Sequence, residues 1–260
     1  MTACSPPFMA RIAVFDSGLG SLSVIRAIQR AAKSDIIYFA DQKSFPYGKK
    51  SKLQLGRIIQ KTIKRLKEDF APDVIVMASN TPSLVLGDFK GVIGVYPPLK
   101  TAAEISSTRN IAILGTKTSV ASHGLDRYIT LQKLPRRVII HKIDASPLVE
   151  LVEGGEFLTD KALCKKEIKR LLACRFKKHG IDTATLSSTH LPFLAYLLKS
   201  ELGHVRFLDP ADNVASKVAK RIKVQSKRNS LKIYASGDVK KFQNSLAMLG
   251  IRNRVGHLTV

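Results

Sequence analysis

At 260 residues the chain has room for one large domain or two of about 130, and its 45% hydrophobic and 24% charged residues exclude a disordered or low-complexity protein. No apolar run approaches the roughly 20 residues that span a bilayer, and the start MTACSPPFMAR lacks an apolar signal-peptide core, so the expected location is the cytoplasm with no membrane partner. A formal charge of +23 and a pI near 10.1 mark a strongly basic surface, for which nonspecific, salt-dependent contact with nucleic acid is the expected consequence.

In chain order, Ile12 to Phe15 is a short apolar run followed at once by DSGLGS and a helical pattern of Leu22, Val24, Ile25 and Ile28. Strand, glycine turn and helix in that order turn backbone N–H groups toward an anion at the helix start, although a tight connection alone would look the same. Asp35 to Phe39 is predicted as a second strand, followed by a loop containing Phe45-Pro46-Tyr47-Gly48. From Ser51 a helix is predicted, because Leu55, Ile58, Ile59, Ile63, Leu66 and Phe70 share one face and Lys and Arg hold the other. Asp73 to Ala78 and Gly91 to Tyr96 read as strands, and Pro97-Pro98 marks a break.

A second series follows, with strands at Ile111 to Leu114, Val138 to Ile143, Thr183 to Leu186 and Val205 to Leu208. Between and after them come helical patterns at Thr101 to Ile105, Val120 to Tyr128, Pro147 to Val152, Asp160 to Lys178, Phe193 to Lys199 and Ala211 to Ile222. Leu231 to Tyr234, ASGD and Val239 to Leu249 add one more strand, turn and helix, with Arg252 to Leu258 as a last edge strand. This alternation predicts an α/β fold: two doubly wound parallel-sheet domains, related by pseudo-twofold symmetry, with a ligand cleft between them. The first domain is placed at 1–98, completed by 208–260, and the second at 99–207.

Parallel strands deliver polar side chains to their carboxyl ends, where open α/β sheets bind ligands. Those ends supply Asp16 and Ser17; Asp41; Ser79, Asn80 and Thr81; Thr116, Thr118 and Ser119; Glu150 and Glu153; Ser188, Thr189 and His190; and Asp209. Neutral hydroxyls and amides suit a small polar ligand bearing carboxylates better than a metal or a nucleotide. HExxH, Walker and EF-hand spacings are absent from the sequence, so no metal and no cofactor are expected. Cys4, Cys164 and Cys174 lack metal-ligand spacing and are expected to be reduced thiols.

His190 follows directly on Ser188 and Thr189, where an imidazole serves proton transfer at neutral pH. A Ser-His-Asp hydrolase is disfavoured. Neither serine lies in a G-x-S-x-G elbow, and Ser188 and His190, two apart on a strand, would point to one side without facing each other.

DSGLGSLSV from Asp16, FADQKSFPYGKKS, SNTPS from Ser79, GVYPP, GTKTSVAS, SPLVELVEGG, STHLP from Ser188 and YASGDVKKF occur in an order that resembles glutamate racemase, in the aspartate/glutamate racemase superfamily. The similarity runs from about Arg11 to the end. It implies two α/β domains clasping glutamate and a cofactor-free two-base proton exchange at Cα between two cysteines, in service of peptidoglycan precursors. By the same resemblance Asp16, Ser17, Tyr47, Gly48, Asn80, Thr81, Thr116, Glu153, Thr189 and His190 are the substrate-binding and proton-network positions. A homodimer is a further partner expectation beside glutamate.

Ser79 and Ser188 occupy the family's two cysteine positions and, with Asp16 and His190, make up the expected catalytic set. A thiol with a pKa near 8.5 is a far better base than a serine hydroxyl. Roughly four units of difference cost about 5 kcal/mol of driving force, or on the order of a thousandfold in rate. Activity is therefore expected to be weak or lost unless His190 serves Ser188 and Asp16 serves Ser79. The alternatives are a non-catalytic protein that binds an acidic amino acid, or one that uses its basic surface for nucleic acid. Ser21 and Ser187 in place of glycine, Leu191 in place of Tyr and Pro98 in place of Gly favour natural divergence.

Overall fold

The computed structural model describes residues 10–222 and 228–260, so Cys4, Lys223 and Lys227 lie outside the described residues. Among the described residues ten strands form two parallel sheets. The first contains β1 (Arg11–Asp16), β2 (Asp35–Ala40), β3 (Val74–Met77) and β4 (Val92–Gly94); the second contains β5 (Asn110–Gly115), β6 (Ile139–Asp144), β7 (Thr183–Leu186) and β8 (Arg206–Leu208); β9 (Ser230–Ala235) and β10 (Val255–His257) return to the first. The strand order is β10-β9-β2-β1-β3-β4 in one sheet and β6-β5-β7-β8 in the other. The pattern β2-β1-β3-β4 thus recurs as β6-β5-β7-β8, and the first sheet is extended by two strands through the pairing of β9 with β2.

Both faces of the first sheet are covered, which is why its central strands are apolar throughout. On one face Leu22, Ile25 and Ile28 of helix Ser21–Ala31 meet Val214 and Val218 of helix Ala211–Arg221. On the other, Leu55, Ile59, Ile63 and Leu66 of helix Lys52–Phe70 pack against Phe15, Phe39 and Met77. That helix starts at a capping box: Ser51 Oγ accepts the Gln54 N–H at 3.2 Å and Gln54 Oε1 accepts the Ser51 N–H at 3.0 Å.

Three local features differ from the sequence expectation. A helix, Asn80–Leu86, begins immediately after Ser79, inside the stretch read only as a strand end. Ser188 and His190 lie beyond the last residue of β7, with His190 preceding the 3-10 turn Leu191–Leu194, so they are not on a strand. The expected helix over 160–178 is interrupted by a π turn, Lys169–Ala173. Its buried residues Cys164, Ile168, Leu172 and Phe176 repeat every fourth position. In a regular α-helix such a row drifts about 40° per step, and the wider π turn restores it to the core.

Cys164 is buried and Cys174 exposed, both as free thiols. No helix among the described residues is long and apolar enough to cross a membrane.

Candidate active site

The carboxyl ends of β1, β3, β5 and β7 converge on a cavity of about 480 Å³ lined from both sheets. Its inner part is made of buried side chains: Asp16, Ser17, Ser79, Asn80, Thr81, Ser188, Thr189 and His190 are each at most 8% exposed. The loop after β2 contributes Phe45, Pro46, Tyr47, Gly48 and Lys49, and the second domain adds Thr116, Lys117, Thr118, Asp144, Ser146, Val149 and Glu150.

Of the residues expected at the site, Glu153 does not line the cavity. It stands behind His190, accepting its Nε2–H at 2.8 Å and the Leu19 N–H at 3.2 Å through the same Oε2. This arrangement gives the Nε2 of the histidine ring to Glu153. Asp16 accepts the Ser17 N–H on Oδ1 at 2.6 Å and the Thr189 hydroxyl on Oδ2 at 3.2 Å. A Cβ on Gly20 would stand 2.8 Å from Asp16 Oδ2 and 2.9 Å from His190 Nδ1, and would collide with Thr189 Oγ1. The absence of a side chain at Gly20 is what lets these three groups meet.

Polar strand ends outside the cavity have supporting positions. Asp41 receives the Ser236 hydroxyl at 3.0 Å and the Tyr47 hydroxyl at 3.4 Å, so the closing YASGD segment braces the Tyr47 loop. Ser119 joins Thr81 and Thr116 in a cluster of hydroxyls 2.8 to 3.2 Å apart that bridges the two domains. Asp209 accepts the Ala211 N–H at the start of helix Ala211–Arg221, away from the cavity.

Asn80 sits at the first turn of its helix and donates Nδ2–H to the Val95 carbonyl at 3.3 Å. Because a carbonyl only accepts, this bond fixes the amide orientation. Its Oδ1 is buried and lacks a partner among the described residues. An acceptor left so costs about 1–3 kcal/mol until a donor arrives.

The chain is 30% identical over 249 residues to glutamate racemase 2 of Caldanaerobacter subterraneus subsp. tengcongensis, with 92% of each protein covered. This chain belongs to the glutamate racemase family. Its structure is similar to that of glutamate racemase isoform RacE1 from Bacillus anthracis, with a TM-score of 0.83, 25% identity, and coverage of 96% of this chain and 98% of that one. The glutamate racemase of Thermus thermophilus in complex with β-chloro-D-alanine gives a TM-score of 0.80 at 26% identity, covering 97% and 98%. No protein-family model matches the chain.

In this glutamate racemase family member the inner cavity is electrostatically coupled. Burial pushes the Asp16 carboxyl up to about 6, partly offset by the nearby His190, the Ser17 N–H and the Ser79 hydroxyl. For His190 burial alone would lower the pKa, but the Glu153 hydrogen bond and charge, aided by Asp16, move it up from its ordinary value. Burial also raises the Tyr47 hydroxyl well above its usual range, with Asp41 adding to the effect, so Tyr47 stays a protonated donor. The cavity can therefore offer a histidine whose protonated form is favoured by Glu153, a carboxyl that titrates near 6, and a ring of hydroxyls.

Proposed function

We propose that the cleft binds glutamate, or a closely related acidic amino acid, and exchanges its Cα proton only slowly. Family membership supports the ligand class, and the observation that carries the rate is the pair Ser79 and Ser188, which line one cavity from the two different sheets. By resemblance they stand where the family has its two thiols. Asp16, Ser17, Tyr47, Gly48, Asn80, Thr81, Thr116, Thr189 and His190 contact the amino acid, with Asn80 Oδ1 available to the substrate ammonium. Glu153 acts through His190.

On the β3 side, Asp16 and Ser79 form the donor and acceptor pair: with a pKa near 6 the carboxylate is a weak base, and the hydroxyl is a poor relay. On the β7 side, Ser188 has no assistance from His190 Nε2, which is held by Glu153. That asymmetry favours, as a second reading, a protein that holds the amino acid without racemising it. The exchange step needs no cofactor in this scheme, since the proton moves between side chains and Cα.

The test is deuterium incorporation at Cα of L-glutamate in D₂O by concentrated pure protein. Slow incorporation, on the order of a thousandfold below that of the Ser79→Cys/Ser188→Cys variant, is expected. Complete absence of exchange in the native protein, with glutamate still bound, selects the second reading. Absence of glutamate binding overturns both.

A further inference from the structure

The same cavity has an outer rim beyond its buried inner walls. The whole cavity, about 480 Å³, falls in the range that holds ligands of drug size, about 300–1,000 Å³. Where the inner walls are buried and mostly neutral, the rim carries four charges: Lys49, Lys117 and Glu150 are exposed and Asp144 is half-buried.

Hydrogen bonds bring these charges to one place. Thr118 Oγ1 donates to the Gly48 carbonyl, so the residues next to Lys117 and Lys49 are clipped together across the two domains. The Lys117 N–H donates to Ser146 Oγ at 2.9 Å, and the Ser146 N–H donates to Asp144 Oδ1 at 2.9 Å. Glu150 lies one turn further along helix Ser146–Gly154. Among the described residues none of the four takes part in an ion pair, although ten ion pairs form elsewhere.

We propose that this rim is a second subsite, in which Lys49 and Lys117 take a carboxylate and Asp144 and Glu150 take an ammonium at the far end of a ligand longer than glutamate. The substrate class is then an α-amino acid whose distal end is itself a zwitterion, such as a diamino dicarboxylic acid. A rim of only positive charge would select any dicarboxylate, whereas two charges of each sign favour a far end that carries both. The proposal rests on the reading of the inner cavity as an amino-acid site.

The test uses calorimetric titration of the full chain with three probes: L-glutamate, L-2-aminoheptanedioate and L,L-2,6-diaminoheptanedioate. The diamino acid is expected to bind about tenfold more tightly than either of the others, because it alone presents both a distal carboxylate to the lysines and a distal ammonium to the carboxylates of a partly exposed rim. The variant Glu150→Gln should bring it down to the level of aminoheptanedioate, and Lys49→Ala/Lys117→Ala should bring both long ligands to or below the level of glutamate. All three residues are exposed, and an unchanged melting temperature confirms that the variants are folded. Glutamate binding as tight as or tighter than the diamino acid overturns the second subsite and leaves the proposed function standing. Loss of all three ligands in the native protein overturns both, and a diamino-acid preference that survives the rim substitutions overturns the assignment to these residues.

Discussion

Asp16 holds its charge at a cost, because its carboxyl is buried. Its folded pKa of about 6 lies above its ordinary value of 3.8, so the folded state binds the extra proton between those values. The associated stability is fully present below pH 3.8 and is lost as pH rises through 6, amounting to about 3 kcal/mol by neutrality. Asp16→Asn is therefore expected to raise stability at pH 7 by about that amount and to leave it little changed near pH 4, as urea melts at the two pH values will show. Gly20→Ala is expected to act in the opposite direction. Its methyl would displace Thr189, Asp16 and His190 together, weakening glutamate binding about tenfold or more, readable by calorimetry.

At the scale of elements, the polar end of β3 is held in place by Ser83, one turn into the helix that follows it. Ser83 Oγ accepts the Val95 N–H at 3.0 Å and donates to the Ser79 carbonyl at 2.8 Å, tying that helix to the end of β4. Ser83→Ala leaves a buried N–H without its partner, and a loss of about 1–3 kcal/mol in a denaturant titration is expected. Between the domains the link is made both by hydroxyls and by an apolar cluster: Thr81 meets Thr116 and Ser119 and Thr189 reaches Asp16, while Leu84 and Tyr96 pack with Val120, Leu125 and Tyr128.

For the whole molecule, the +23 charge is spread over the outer faces of several helices. Lys217, Lys220 and Arg221 lie on helix Ala211–Arg221, and Lys161, Lys166, Arg175, Lys177 and Lys178 lie along 161–178. A field without one focus attracts polyanions but has little means of reading sequence. Duplex DNA is expected to be retained in a filter-binding assay at about 0.05 M salt and released by about 0.2 M, with no dependence on its sequence. Retention at the higher salt would point to a specific nucleic-acid surface, for which Lys220 and Arg228 are the described residues to replace.

The sequence by itself determined the ten strands, their parallel pairing class and the order of polar strand ends, because apolar runs ending in Ser, Thr and Asn report burial and its abrupt stop locally. The motifs DSGLGS, SNTPS and STHLP likewise point Asp16, Ser79, Asn80, Thr189 and His190 to the cleft. Only the tertiary structure decided which partner each side chain takes. Glu153 and His190 are 37 positions apart and Asp16 and Thr189 are 173 apart, and nothing local encodes those pairings. The π turn at Lys169–Ala173 and the helix at Asn80 escaped for a related reason: each is set by how a face must meet the core, which periodicity within one segment does not contain. The charged rim of Lys49, Lys117, Asp144 and Glu150 joins a loop of the first domain, held by the Thr118 and Gly48 hydrogen bond, to residues up to 33 positions apart in the second.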